Sequence, residues 1–192
     1  MKKWIPLLCV PAFLLGTAFH SWAHVTPNVK LHTTREAVAR LLPEGKLSLK
    51  EVTLEGENLK ALESHENWDS QEDHFNFYVS RDGDRKLKRA AIFMTEFTRH
   101  GPVVVGVALD PEGKIADAVV TDVQAEPLEW IGPLLRIPFL ESFRGKGSGL
   151  DLRLDEKWKR GTTEMAQAYG VILANALKKS AQLFELVFRN GK

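Results

Sequence analysis

Residues 103–123 read Val-Val-Val-Gly-Val-Ala-Leu, then Asp110-Pro111-Glu112-Gly113-Lys114, then Ile-Ala-Asp-Ala-Val-Val-Thr-Asp-Val. Two β-rich runs flank five residues of turn chemistry, in which Pro111 presets φ and Gly113 supplies a positive φ. The pattern predicts a β-hairpin with strands at Val103–Leu109 and Ile115–Val123. Upstream, Leu87–Phe97 is another extended run, closed by His100-Gly101-Pro102. Phe75–Val79 reads as a strand and Arg81-Asp82-Gly83-Asp84 as a turn. Leu47–Leu54 alternates apolar and polar residues, the pattern of a half-buried strand.

Helices flank this strand-rich centre. Thr33-Thr34-Arg35-Glu36 is a capping box, and Ala37, Val38, Leu41 and Leu42 follow on one helical face until Pro43-Glu44-Gly45 stops it. Asn58–Ser64 suits a short helix and His65–His74 a polar loop. Glu126–Pro138 is broken up by Pro127, Gly132, Pro133 and Pro138. Phe139–Phe143 reads as a short helical turn, and Leu150–Asp155 as a short strand. From Thr163 to Phe188 the apolar residues keep helical spacing on more than one face, which predicts one long, well-buried helix. The expected class is α+β, with a twisted, largely antiparallel sheet packed against a long C-terminal helix and shorter ones.

The chain has 192 residues, 44% hydrophobic and 27% charged, which suits one domain with a core that needs no disulfide or metal. Lys2 and Lys3, an apolar stretch from Trp4 to Phe19, and Ser21-Trp22-Ala23 read as a secretory signal cleaved after Ala23. The apolar stretch falls short of the roughly 20 residues of a spanning helix, and Pro11 interrupts it. A periplasmic protein is expected, with residues 1–23 as signal peptide, 24–74 as an N-terminal helix and strand elaboration, and 75–192 as the main domain. Cys9, the one cysteine, leaves with the signal, so the mature chain has no thiol chemistry. Removing Lys2 and Lys3 from 26 basic residues leaves 24 against 25 acidic ones, which gives no basis for nucleic-acid binding.

The start of the last helix, Lys159-Arg160-Gly161-Thr162-Thr163, has the makings of a phosphate site. A helix N-terminus offers amides and a partial positive charge, Gly161 permits close approach, the threonines can hydrogen-bond, and Lys159 and Arg160 add charge. An ordinary N-capped helix start accounts for the same pentapeptide. Trp130 and Trp158 flank this region in sequence and are candidates for stacking on a ring, ahead of Phe139 and Tyr169; packing is the commoner use of an aromatic. Glu126 could position a ligand or simply end a strand. His24, exposed as a new N-terminus, could chelate copper through its amine and imidazole, with His32, His65, His74 and His100 as partners. No two of these stand at the spacing of a helical metal pair, and scattered surface histidines are the plainer account. Asp69–Asp73 reads as solvated loop charge. Neither a Gly-x-Ser-x-Gly elbow nor a dinucleotide fingerprint is present.

Four stretches carry a resemblance. They are Arg35–Pro43, the segment from Gly101-Pro102-Val103 to Ile115, Phe139-Leu140-Glu141-Ser142-Phe143-Arg144-Gly145-Lys146, and Gly161-Thr162-Thr163 with the helix behind it. In order and spacing they resemble the FMN-binding domain of the peripheral flavin subunit of the sodium-pumping quinone reductase, of its ferredoxin-linked relatives and of a periplasmic regulator of nitrous oxide reduction. The likeness spans most of residues 33–187. It implies an electron carrier rather than a substrate-converting enzyme, working beside a membrane redox complex or a cytochrome. It also implies FMN near Lys159, Arg160, Gly161, Thr162 and Thr163, with Glu126, Trp130 and Trp158 around it. In flavinylated members a flavin transferase esterifies the last Thr of a Ser/Thr-Gly-Ala-Thr motif, which falls here on Thr163. This chain departs from that motif, with Arg160 at the Ser/Thr, Thr162 at the Ala, and Lys157 at an Asp. Covalent FMN, noncovalent FMN held by Arg160 and Lys159, and a flavin-free binding or assembly module of the same fold all remain open.

Overall fold

The structure, a computed structural model, describes residues 27–68 and 72–190. The signal read over 1–23, with Cys9, and the copper candidate His24 lie outside the described residues. In chain order the elements are β1 (Asn28–Lys30), α1 (Thr34–Leu41), β2 (Lys46–Thr53), α2 (Gly56–Glu63), β3 (His74–Arg81), β4 (Leu87–Thr98), β5 (Gly101–Leu109) and β6 (Ile115–Gln124). They continue with α3 (Ala125–Leu135), a 3-10 turn at Leu140–Phe143, α4 (Glu156–Lys159), α5 (Glu164–Phe184) and a π-helical turn at Glu185–Asn190. The strands form one antiparallel sheet in the order β1-β6-β5-β4-β3-β2. From β2 to β6 the chain is a meander, and β1 adds to the outside of β6. The fold is α+β, with the long terminal helix packed on the sheet as expected. The segment before residue 75 supplies both edges of the sheet.

The central hairpin forms for the reasons its sequence gives. Asp110 Oδ1 accepts hydrogen bonds from the amides of Glu112 (3.0 Å) and Lys114 (2.8 Å), and Gly113 sits at φ +77°. The same glycine packs under α5: a Cβ there would lie 3.3 Å from the Phe184 ring. The β3–β4 turn repeats the device, with Asp82 Oδ1 accepting from Asp84 and Lys86. Its left-handed residue is Arg85, at φ 64°, rather than Gly83.

Helices cover both faces of the sheet. On one face Val103, Val105, Val107 and Leu109 of β5 alternate inward, joined by Ile92 and Met94 of β4 and Val120 of β6, against Leu173, Leu177 and Phe184 of α5. Burying each such side chain contributes roughly 2 kcal/mol. On the other face Ala37, Val38, Leu41 and Leu42 of α1 and its end pack on Ala91, Ala108 and Val119, whose small or branched side chains let the helix approach. Within the α5 layer lies a charged pair, Lys179 (1% exposed) to Glu96 of β4 (8% exposed) at 3.1 Å. Asn175 also donates to Glu96, and Asn67 bridges Asn175 and Gln182. These polar contacts tie the turn after α2 to α5 and favour one sliding position of the helix over β4.

Several elements differ from the sequence expectation. The strand Lys46–Thr53 is present, but all its residues except Val52 are exposed. It is the sheet's edge, and α1 covers β5 and β6 instead. Residues 125–135 form a helix despite two prolines. Pro127 falls in the first turn, where an amide has no intrahelical partner anyway, and Pro133 gives up one interior bond. Leu150–Asp155 is not a strand; Leu150 and Leu154 are buried from an irregular segment in which Arg153 bonds Asp151. The last helix begins at Glu164 with Thr163 as its cap, ends at Phe184 and continues as the π turn.

Thr33 accepts from the Glu36 amide (3.2 Å) while the Glu36 carboxylate accepts from the Thr33 amide (2.8 Å). Thr33→Ala is expected to cost about 1 kcal/mol in chemical denaturation. Asp117 links α1 to the segment after the 3-10 turn, accepting from Arg40 (3.2 Å) and Arg144 (2.9 Å). Burial pushes its carboxyl up, but the two guanidinium hydrogen bonds outweigh that and hold it below its ordinary value. A depressed folded pKa stabilises the fold above the unfolded value and loses that contribution as pH falls through the folded one. Asp117→Asn should therefore lower stability at neutral pH. The gap from wild type should close as pH drops below about 4, measured by thermal melts across acid pH.

Candidate functional site

The start of α5 is built by the connector from α4. The single turn of α4 ends at Arg160, and Gly161 reverses the chain at φ +76°, a conformation that favours glycine. Thr162 turns its hydroxyl back, donating to the carbonyls of Trp158 (2.6 Å) and Lys159 (3.2 Å). The Gln167 amide nitrogen reaches back to the carbonyls of Lys159 and Thr162, each at 3.2 Å. Thr163 is extended, at φ −71° and ψ 160°, and its Oγ1 accepts from the Ala166 amide at 3.2 Å. The connector is therefore a fastened loop that sets the angle at which α5 begins.

Its outer surface is open. A Cβ at Gly161 would meet no atom within 4 Å, and Gly161 and Thr163 are both exposed. The helix behind runs 21 residues, so its full dipole bears on this end. Of the nearby cations, Lys159 is held 2.7 Å from Glu156 of its own turn. Lys157 lies over the Trp158 ring, 4.8 Å from its centroid. Arg160 is exposed directly beside Gly161. Helix-start backbone, the exposed Arg160 and the exposed Thr163 are groups of the kind a phosphate takes.

The aromatic candidates divide. Trp158 is half-buried and meets Phe139 edge-on at 5.4 Å and 83°, with Lys157 against its ring. Trp130, on α3, sits between His100 (4.9 Å, 81°) and Tyr169 of α5 (5.3 Å, 37°). The Tyr169 hydroxyl is 3.2 Å from that of Thr98, and burial pushes it up from its ordinary value against the lowering effect of that hydrogen bond. Glu126 pairs with His100, its Oε2 3.2 Å from Nδ1. A groove of about 640 Å³ opens alongside, lined by Arg99, His100, Gln124, Glu126 and Glu129.

The site residues read from the sequence thus fall into two groups and one outlier. Lys159 to Thr163 form the connector. Glu126 lines the groove, and Trp130 packs against its His100. Trp158, whose carbonyl accepts from Thr162, turns its ring onto Phe139 instead. Tyr169 lies six residues along α5 from Thr163, about 9 Å of helical rise, and so places the second group beside the first turns of the same helix. His100 lines the groove too, and Thr98 stands behind it, accepting from the His100 amide and meeting the Tyr169 hydroxyl. The antiparallel meander brings them there, because the β4–β5 turn and the end of β6 lie at one end of the sheet. Among the described residues no group of three or more His, Asp or Glu is placed to hold a metal ion.

Comparison with protein-family models finds no match for this chain, and comparison with curated proteins finds none either.

Because Thr163 caps α5, Thr163→Ala is expected to lower stability by about 1 kcal/mol and Thr163→Ser to leave it nearly unchanged. Urea melts of the variants would measure both.

Proposed function

We propose that the protein is an exported, FMN-carrying electron-transfer protein, with the flavin phosphate held at the start of α5. The observation that carries this is the open, left-handed Gly161 next to an exposed Thr163 at the N-terminus of a 21-residue helix. Such an end attracts an anion through its amides and its dipole. Thr163 uses its oxygen as a cap acceptor, so its hydroxyl proton remains available for replacement by a phosphate ester. Arg160, at the place where flavinylated members of the family it resembles carry Ser or Thr, would support a phosphate by charge. This suits noncovalent binding as well as ester formation.

The resemblance in residue order and this helix start support the same assignment. FMN, when bound, supplies one- and two-electron transfer; the protein supplies its anchor and its surroundings. Here the half-buried Trp130, backed by the buried Tyr169, offers an aromatic edge, with the His100–Glu126 pair beside it. The partner would be a membrane redox complex or a cytochrome. Among the described residues no helix is long and apolar enough to cross a membrane. A second reading, a flavin-free binding or assembly module, draws on Trp158 being packed against Phe139 and Lys159 being paired with Glu156.

The test is co-expression with a flavin transferase, followed by ultraviolet illumination of a denaturing gel and intact mass measurement. The protein should fluoresce and carry the mass of one FMN, and Thr163→Ala should lose both. A label that persists in Thr163→Ala contradicts the attachment site. A colourless protein that also fails to bind added FMN favours the flavin-free module.

A further inference from the structure

A sheet edge presents a row of unpaired backbone donors and acceptors, and proteins usually shorten, bulge or cover it. The β1 edge is short, at three residues. The β2 edge is eight residues long, contains no proline, and pairs with β3 without a register break from Lys46↔Arg81 to Thr53↔His74. Leu47 and Leu49 are each 52% exposed on it. Leu49 stands opposite Tyr78, so it lies on the α1 side of the sheet. There Tyr78 meets Phe93 edge-on at 5.7 Å, and both pack against the α1 core. An apolar stripe therefore runs from α1 through Phe93 and Tyr78 to Leu49 and Leu47, and stops at an edge that no described strand covers.

We propose that a second copy of this chain covers that edge, β2 pairing antiparallel with β2 about a two-fold axis at Leu49. An axis perpendicular to the sheet keeps the two α1 faces on one side, and charge and strand overlap then select the register, since centring on Leu47 would pair only Lys46 to Ser48 of the strand. Centring on Ser48 would set Lys46 against Lys50 at both ends. Centring on Lys50 would set that ammonium against its own counterpart. Centring on Leu49 places Leu49 against its counterpart, Leu47 against Glu51, Ser48 against Lys50 and Lys46 against Val52. No like charges then stand directly opposed, and Leu47 and Leu49 of both copies join in one cross-strand cluster. The apolar stripe becomes continuous across the pair, and the open edge is consumed.

The test is the mass of the full chain in solution, by sedimentation equilibrium over a range of concentrations. A dimer is expected. Leu49→Lys, which opposes two ammonium groups at the axis, should give a monomer whose circular dichroism spectrum matches wild type. In a Cys9→Ser background, Leu49→Cys should oxidise to a disulfide-linked dimer. Thr53→Cys should not, because eight residues of strand, about 26 Å, separate it from its counterpart. A monomer at every concentration overturns the proposal, as does a dimer that Leu49→Lys leaves intact. A monomer that instead adds an extended segment of another protein at β2 overturns it too and assigns the edge to that partner. None of these readouts depends on flavin.

Discussion

The structure depends on the burial of α5 against the inward valines of the sheet. Val103, Val105 and Val107 of β5 present a branched surface, and Leu173, Leu177, Leu183 and Phe184 fill it. Phe184 closes over Gly113, so the turn that makes the central hairpin also seats the end of the helix. The buried Lys179–Glu96 pair, with Asn175 and Asn67, adds a geometric requirement that apolar packing lacks, since only one helix position brings these groups together. Everything at the other end of α5 inherits that position.

What it inherits is a junction of two kinds of surface. At the first turn, backbone, Arg160 and Thr163 are open to solvent and favour a negatively charged group. A turn and a half further on, Tyr169 meets Trp130, and Trp130 meets His100. The open first turn and the Trp130 cluster are thus held in fixed relation by α5, through the buried Tyr169. The proposed dimer edge at β2 lies at the far side of the sheet from β6, where α3 begins, so pairing through it leaves that junction uncovered.

Local chemistry was legible in the sequence where a few neighbouring residues decide the outcome. Asp110, Pro111 and Gly113 make their turn, Thr33 and Glu36 their box, and Thr163 its cap, because each uses side chains within four positions of the groups they satisfy. The pattern could not tell which face of Leu47–Leu54 would be covered: alternation marks amphipathicity, and the position of α1 over β5 and β6 decides burial. Leu150, Leu152 and Leu154 imitate a strand because alternate burial also occurs in an irregular segment lying on a core. Pro127 and Pro133 hid α3, whose packing on α5 outweighs one missing hydrogen bond. The Lys159–Thr163 stretch was readable as a contiguous motif. The joining of His100 and Thr98 to Trp130 and Glu126 was not, since it follows from strand order.

The claim that the helix start holds a flavin phosphate is tested most directly by amide nuclear magnetic resonance of protein made without a flavin transferase, titrated with FMN. The largest shifts should fall on Gly161, Thr162, Thr163 and Glu164, with a second set at Trp130 and Tyr169. Saturating FMN that leaves those amides unmoved, or that shifts only residues elsewhere on the surface, would contradict it.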